Sequence, residues 1–309
     1  MSKLSLACAL ALTLAISACP PDASAAKVVR DATPPAPAVP PPRAVTATPV
    51  SANLSKLSAT QIVDKNVAAR GGLTAWRAIQ SMTITGKLDA GGKKDTLLPY
   101  TLQVKRPNKQ RLAIEFAGHT SVQVYDGKNG WKLRPYLNRA DPEPFSQEEL
   151  RKIEEGPGLE GPLIDYSTKG SKVELEGTET VEGQATYRLK VTSKQGHIQH
   201  IWIDGTTFLE AKIEDHPRRF DGKMRAVETY LSDYRNVEGV VVPYLSETRV
   251  QGVRATHKMA IEKVAINQEL NDALFGKPAS AALPPQRVFT VAPATGASSA
   301  PSPQALKSQ

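Results

Sequence analysis

The chain has 309 residues and a formal net charge of +8 at pH 7. Its basic residues are scattered, without a dense Lys/Arg run or an interleaved aromatic platform, so we expect no nucleic-acid partner. The two cysteines, Cys8 and Cys19, both lie near the N-terminus. The rest of the chain therefore cannot hold a disulfide, a cysteine nucleophile or a cysteine zinc site.

The N-terminus has the pattern of an export signal. A basic residue precedes an apolar run over residues 4–18, which is too short for a membrane-spanning helix. The run ends in an ISAC tetrapeptide that is similar to a bacterial lipobox, and this predicts lipidation of Cys19. An A-x-A cleavage site ending at Ala25 is the alternative. The signal peptide would cover residues 1–18 in the first case and 1–25 in the second, and both place the protein outside the cytoplasm.

Both ends of the chain are predicted to lie outside the folded domain. Residues 19–56 are rich in Pro and Ala, which favours an extended polyproline II tether. With Cys19 lipidated, this tether would hold the domain away from a membrane. Residues 279–309 are rich in Pro, Ala and Ser and predict a disordered tail. Residues 57–278 remain for one domain, which is long enough for a sizeable core.

The domain opens with a predicted helix, a glycine pair and a second short helix. Ser58 and Gln61 have the spacing of a capping box, and Gly71-Gly72 suits a helix C-cap. Three apolar residues then share one face of the first helix: Ile62, Val63 and Val67. Trp76 lies on the apolar face of the second helix. These helices would cap one end of a sheet.

From Met82 and Ile84 onward, apolar residues recur at every second position, which predicts strands. Short turns of the Asp-Gly and Glu-Gly type separate them, so we expect an antiparallel meander. The predicted strands lie near 82–88, 97–105, 110–117, 120–126, 130–135, 171–178, 185–193, 198–204, 207–215, 225–235, 240–250 and 255–266. So many strands do not form one flat sheet. The predicted fold is mainly β: a curved antiparallel sheet, an open half-barrel of about 11–12 strands, closed by short helices.

The strands carry one apolar and one polar face, and the apolar face has two interpretations. It is either a closed core or the lining of a ligand cavity, and the pattern does not separate the two. In the second case, the predicted lining comprises Ile62, Val63, Val67, Trp76, Met82, Ile84, Leu112, Ile114, Phe116, Val122 and Val124.

Residues 135–170 interrupt the strand pattern. Ser146 and Glu149 have capping-box spacing and predict a short helix over about 147–155, with Leu150 and Ile153 on one face. This helix is either a lid over the sheet or a surface excursion.

Catalytic motifs are missing from the sequence. His197 and His200 lie three residues apart in a predicted strand and point to opposite faces, so they cannot chelate one metal ion without a bend. Asp126-Gly127 and Asp204-Gly205 suit turns better than catalysis. We therefore predict no catalytic residue, no metal and no cofactor, with a cross-strand metal pair and a hydrolase using His200 or Asp204 as alternatives.

The domain resembles the LolA/LolB-like family of outer-membrane lipoprotein-sorting proteins. The resemblance is carried by IVDKNVAARGGLTAWRAIQSMTITGKL (62–88), Lys105-Arg106-Pro107, Tyr125-Asp126-Gly127 with Gly130-Trp131, Gly161-Pro162-Leu163 with Asp165-Tyr166, Val181-Glu182-Gly183, Trp202-Ile203-Asp204, Tyr234-Arg235 and Asn267 to Phe275. It implies a half-barrel closed by helices, with an apolar cavity for acyl chains. The chain departs from the soluble carriers in its lipobox-like sequence, its Pro-rich ends and its length.

The resulting hypothesis is an exported, non-catalytic protein that binds lipid or lipoprotein acyl chains. It would act in lipoprotein sorting in the periplasm of a Gram-negative envelope, anchored to the outer membrane if Cys19 is lipidated. The alternative is a membrane-tethered envelope lipoprotein with a packed core, which binds a protein partner or acts as a sensor.

Overall fold

The computed structural model describes residues 54–282, except for 90–96, 117, 155, 157 and 221. The export signal, Cys19, most of the 19–56 tether and most of the 279–309 tail lie outside the described residues. Among the helices of the described part, none combines the length and hydrophobicity needed to cross a bilayer.

One antiparallel sheet with three short α-helices forms the described part of the chain. The helices are α1 (Ala59–Ala69), α2 (Leu73–Ala78) and α3 (Gln147–Glu154). The strands are β1 (Ser81–Asp89), β2 (Leu97–Lys105), β3 (Lys109–Phe116), β4 (His119–Tyr125), β5 (Gly130–Arg134), β6 (Arg139–Pro144), β7 (Lys172–Val181), β8 (Gln184–Thr192), β9 (Ile198–Asp204), β10 (Glu210–Phe220), β11 (Lys223–Val237), β12 (Val240–Val250) and β13 (Thr256–Ile266). The described part also contains two 3-10 helices, Pro135–Leu137 and Asp272–Phe275.

The strand order is β6-β5-β4-β3-β2-β1-β13-β12-β11-β10-β9-β8-β7. Two meanders, β1 to β6 and β7 to β13, are thus joined by the pairing of the first strand with the last. β6 and β7 are the two edges and do not pair with each other. This confirms the predicted mainly-β, open antiparallel fold, with thirteen strands instead of 11–12.

β6 is the strand that the sequence pattern did not predict. It contains Pro142 and Pro144, which argue against a strand because proline cannot donate a ladder hydrogen bond. An edge strand needs hydrogen bonds on one side only, and β6 lies at the edge, beside β5. The prolines are therefore compatible with its position.

Local capping fixes the helix starts as predicted. Ser58 Oγ accepts from the backbone N–H of Gln61 at 3.2 Å, and Gln61 Oε1 accepts from the backbone N–H of Ser58 at 2.9 Å. Ser146 and Glu149 form the same reciprocal pair at the start of α3. Each box satisfies backbone donors that a helix start leaves unpaired.

The sheet curves around α1 and α2, which pack on one of its faces, here called the inner face. A core cluster around Trp76 of α2 includes residues from β3, β2, β1, β13 and β12, and a second cluster under α1 includes residues from β8 to β11. Val67 contacts both clusters. Nine flat strands would span roughly 38 Å, whereas α1 is only about 16 Å long. The sheet must therefore wrap around the helices to place both clusters beside them.

Candidate functional site: the inner face and its strap

The end of α1 is fixed to the inner face by Arg70. Its Nη1 atom lies 2.7 Å from Glu210 Oε1 on β10, and its Nε donates to the carbonyl oxygen of Val241 at 2.8 Å. Trp76 Nε1 donates to the carbonyl oxygen of Arg70 at 2.8 Å, and the guanidinium lies 4.7 Å from the centre of the Trp76 ring. This network orients Trp76 over the centre of the sheet.

An apolar cavity of about 70 Å³ lies beneath Trp76. Side chains from α2, β1, β2 and β13 line it, including Trp76, Met82, Ile84, Leu102, Val104 and Met259. Drug-sized ligand pockets typically have volumes of roughly 300–1,000 Å³. Most of the inner face is therefore filled by protein side chains in this conformation.

Part of that filling comes from an irregular segment, residues 158–170, here called the strap. It contains neither helix nor strand. Leu163 and Ile164 of the strap are each 1% exposed. Ile164 packs in the cluster around Trp76, and Leu163 packs in the cluster under α1. Leu159 lines the apolar cavity. The strap therefore covers both halves of the inner face with apolar side chains.

Ion pairs hold the strap against α2 and β2. Arg106 Nε donates to the carbonyl oxygen of Ile79 at 2.7 Å, and Arg106 Nη2 lies 3.0 Å from Glu160 Oε2. Lys169 Nζ lies 2.7 Å from the other Glu160 oxygen. The side chain of Glu160 is therefore shared between Arg106, in the turn after β2, and Lys169 of the strap itself.

A second contact fixes the strap to α2. The Arg77 guanidinium donates twice to the Asp165 carboxylate, at 2.6 and 2.8 Å. These hydrogen bonds hold the pKa of Asp165 below its usual range. A recess of about 180 Å³, lined by both polar and apolar side chains, lies along this contact. The recess borders Trp76, so the strap meets α2 through a polar rim outside an apolar interior.

Several predicted lining residues meet on the inner face. Trp76, Met82 and Ile84 line the cavity itself. Leu112 and Ile114 belong to the same cluster. Ile62 and Val63 pack with Leu163 in the second cluster, and Val67 lies between the two.

Val122 and Val124 do not reach this cavity. Leu112 pairs directly with Gln123 in the ladder, so Gln123 shares the inner face and its two neighbours point to the opposite, outer face. There they pack with Leu133, Leu270 and Phe275. Phe116 is also outside the cavity: it is 39% exposed and contacts Tyr136 edge-on, with 5.9 Å between ring centres.

α3 covers a different part of the inner face from the one that holds the cavity. Ile153 is buried against Tyr125 and Phe145, with Leu150 partly buried beside them. The strap that follows α3, and not α3 itself, covers the cavity. Sequence reasoning missed the covering role of Leu163 and Ile164, although their position beside Gly161-Pro162 in a loop was a signal for it.

The candidate catalytic groups have structural partners. His200 Nδ1 lies 3.1 Å from Glu214, and Nε2 lies 3.4 Å from Glu176. Asp204 Oδ1 accepts from the backbone N–H groups of Thr206 and Thr207, as a turn residue does. Within residues 54–282, apart from the omitted positions, no three His, Cys, Asp or Glu side chains group as metal ligands.

A scan against models of protein families gives no match, and a search of curated proteins gives none either. Among solved structures, the chain is similar to a LolA superfamily protein from Nitrosomonas europaea, with 15% identity and a TM-score of 0.48 over 72% of this chain and 98% of the other. It is also similar to an outer membrane lipoprotein-sorting protein domain from Vibrio parahaemolyticus, with 12% identity and a TM-score of 0.47 over 70% and 94%. The Mycobacterium tuberculosis lipoprotein LppX shows 12% identity and a TM-score of 0.31 over 69% and 98%.

Proposed function

We propose that the inner face binds an apolar chain of a lipid or of a lipid-modified protein, and that the strap is the part that moves to admit it. The protein catalyses no reaction of the bound lipid chain. The predicted export signal and tether support a location in the bacterial envelope, where acylated proteins and lipids occur. Lipoprotein sorting at the outer membrane is the process that such binding would serve.

The proposal rests on one observation. The strap has no regular secondary structure, yet its residues Leu163 and Ile164 are buried against the inner face. Each removes an apolar side chain from water, and exposing both would cost about 3–6 kcal/mol. An incoming chain contributes about 0.8 kcal/mol for each methylene that it buries. Roughly eight buried methylenes therefore offset the displacement of the strap.

One of the two ion-paired attachments of the strap is weak. Arg77 is more than half exposed, and ion pairs at the surface contribute only about 0–1 kcal/mol each, whereas Glu160 is buried. The strap lacks the ladder hydrogen bonds that hold the strands. Moving it thus breaks fewer backbone contacts than moving any of the sheet strands on either side.

A second candidate function follows from the small size of the cavity. With only about 70 Å³ unfilled, the inner face would instead be the core of a protein-interaction module that takes no ligand. In that case the strap is a permanent part of the core. The tether would then position the domain for an envelope protein.

Native mass spectrometry separates the two functions. The full-length gene is expressed in a Gram-negative host, and the mature protein is extracted in mild detergent and analysed before and after delipidation. Bound acyl lipid, returned by adding 1-hexadecanol to the delipidated protein, supports chain binding. A protein that carries no lipid and does not bind 1-hexadecanol contradicts it, and a stoichiometric protein partner in place of lipid supports the interaction module.

A further inference from the structure

The inner face changes from apolar to polar directly beyond the cavity. Leu231 and Ser246 line the cavity and are cross-strand neighbours on β11 and β12. The next inward-facing residues on these strands are Thr229 and Thr248, which also pair with each other. His257 pairs with Thr248 on β13. These three side chains form one row, about 7 Å along the strands from the cavity lining.

This polar row is buried. Thr229, Thr248 and His257 are 3%, 4% and 8% exposed. The two threonine hydroxyls lie 3.2 Å apart and share one hydrogen bond. Within the described part of the chain, His257 Nδ1 has no hydrogen-bond partner.

A second unpaired group lies on the same face. Gln199 of β9 is 4% exposed, and among the described residues its Nε2 atom has no partner. It pairs with Val191 and so faces inward like Leu189 and Ile201, which form the neighbouring inward-facing pair of the same two strands. Leaving a buried polar group unpaired destabilises a fold, because the group loses its hydrogen bonds to water. Apolar residues at these positions would stabilise the fold better, so the polar ones indicate a bound partner.

The chemistry of the row favours an uncharged head group. The hydroxyls of Thr229 and Thr248 are neutral, and burial lowers the pKa of His257, which keeps its imidazole neutral at pH 7. Two charged side chains of opposite sign lie further along the same face: Asp215, opposite Val227, and Arg225 of β11, whose Nη1 donates to the carbonyl oxygen of Gln251. Together they give the face no net preference for an anion.

We propose that Thr229, Thr248 and His257 form a pocket for the neutral, hydrogen-bonding head of an amphiphile, such as a hydroxyl or an ester. The chain of this amphiphile lies in the apolar cavity beneath Trp76. The pocket rests on the proposed function, because it has a role only if the inner face binds a chain. It specifies the ligand further: a neutral amphiphile binds more tightly than a hydrocarbon or a fatty-acid anion of equal length.

The test compares 1-decanol, decane and decanoate on the full-length protein, by displacement of the neutral fluorophore 1-aminoanthracene. We expect 1-decanol to bind about tenfold more tightly than decane, as one or two hydrogen bonds provide. The double variant Thr229→Val, Thr248→Val keeps the side-chain shapes and should remove this preference. Thr83→Val is the matched control, since Thr83 carries a buried hydroxyl without a described partner on the outer face.

The ring resonances of His257 provide a readout that needs no variant. They should shift on addition of 1-decanol and stay in place on addition of decane. Equal affinity for the two probes, tighter binding of decanoate, or an unchanged preference in a folded double variant would overturn the pocket while chain binding stands. If neither probe binds, the proposed function fails, and the pocket fails with it.

Discussion

Arg70 and Glu210 form a buried ion pair that joins the end of α1 to β10. The two side chains are 6% and 4% exposed, with 2.7 Å between the interacting atoms. The Tyr234 hydroxyl donates to the backbone carbonyl oxygen of Glu210 at 2.8 Å and lies 3.2 Å from the other oxygen of the Glu210 carboxylate. The position of α1 over the inner face thus depends on the buried carboxylate of Glu210, which is stable there only when a counter-charge is paired with it.

Arg70→Met should lower the free energy of unfolding by about 3–5 kcal/mol, because it leaves the Glu210 carboxylate buried without a counter-charge. The double variant Arg70→Met, Glu210→Gln should lose less than the sum of the two single changes. Urea denaturation measures both effects. The control is Arg235→Met, which removes an exposed pair with Asp233 and should cost at most about 1 kcal/mol. A similar small loss for Arg70→Met would contradict the importance of the buried pair.

Gly71→Ala should destabilise the protein more than Gly72→Ala. Both glycines have positive φ angles, 101° and 87°, so alanine is strained at each by about 1–2 kcal/mol. A Cβ at Gly71 would lie 2.1 Å from the carbonyl oxygen of Gly239, whereas a Cβ at Gly72 meets nothing within 4 Å. The clash adds about 1–3 kcal/mol. Thermal unfolding of the two variants side by side checks the order, and equal melting temperatures would show that α1 does not approach the β11–β12 turn this closely.

Acid should loosen the strap. Hydrogen bonds from Arg77 hold the folded-state pKa of Asp165 below its usual value of about 3.9. The stability from this pair is therefore present above that value and is lost as the pH falls through the lower, folded-state pKa. Limited digestion with an acid protease should cleave the strap faster as the pH drops below about 4. The expected loss of stability in acid is modest, because Arg77 is exposed and an exposed ion pair contributes little.

Asp165→Asn should remove this component of the pH dependence while leaving cleavage elsewhere unchanged. An identical acid response in the variant and the wild type would assign the loosening to another group.

Ile164→Ala should weaken folding and strengthen chain binding at the same time. Removing a fully buried side chain costs about 2–5 kcal/mol and leaves space beside Trp76. We expect tighter binding of 1-decanol in the displacement assay. Leu133→Ala removes a similar buried volume in the outer-face cluster and should leave binding unchanged. A gain in both variants would point to general loosening of the fold.

Features that depend on residues close together in the sequence were predictable, whereas features that depend on contacts between distant segments were not. The capping boxes at Ser58 and Ser146 depend on residues three apart, so their spacing identifies them. Whether Val122 and Val124 point to the inner or the outer face depends on how β4 is aligned with β3. The alternation of apolar residues within β4 does not give that register. The helical pattern over 147–155 predicts a lid or a surface excursion, whereas the burial of Leu163 and Ile164, which cover the cavity, depends on strands far away in the sequence.

The central claim is that a chain reaches the inner face when the strap moves. The most direct measurement fixes the strap through a cross-link between Arg77→Cys and Asp165→Cys, whose native side chains meet at 2.6 Å. Cys8 and Cys19 are replaced by serine, and a bismaleimide with a reducible linker joins the new cysteines. The control carries the same link between Arg139→Cys and Glu143→Cys on β6, away from the strap.

We expect the strap cross-link to abolish binding of 1-decanol and its reduction to restore binding, with the β6 cross-link having no effect. Undiminished binding to the fully cross-linked strap variant would contradict the claim.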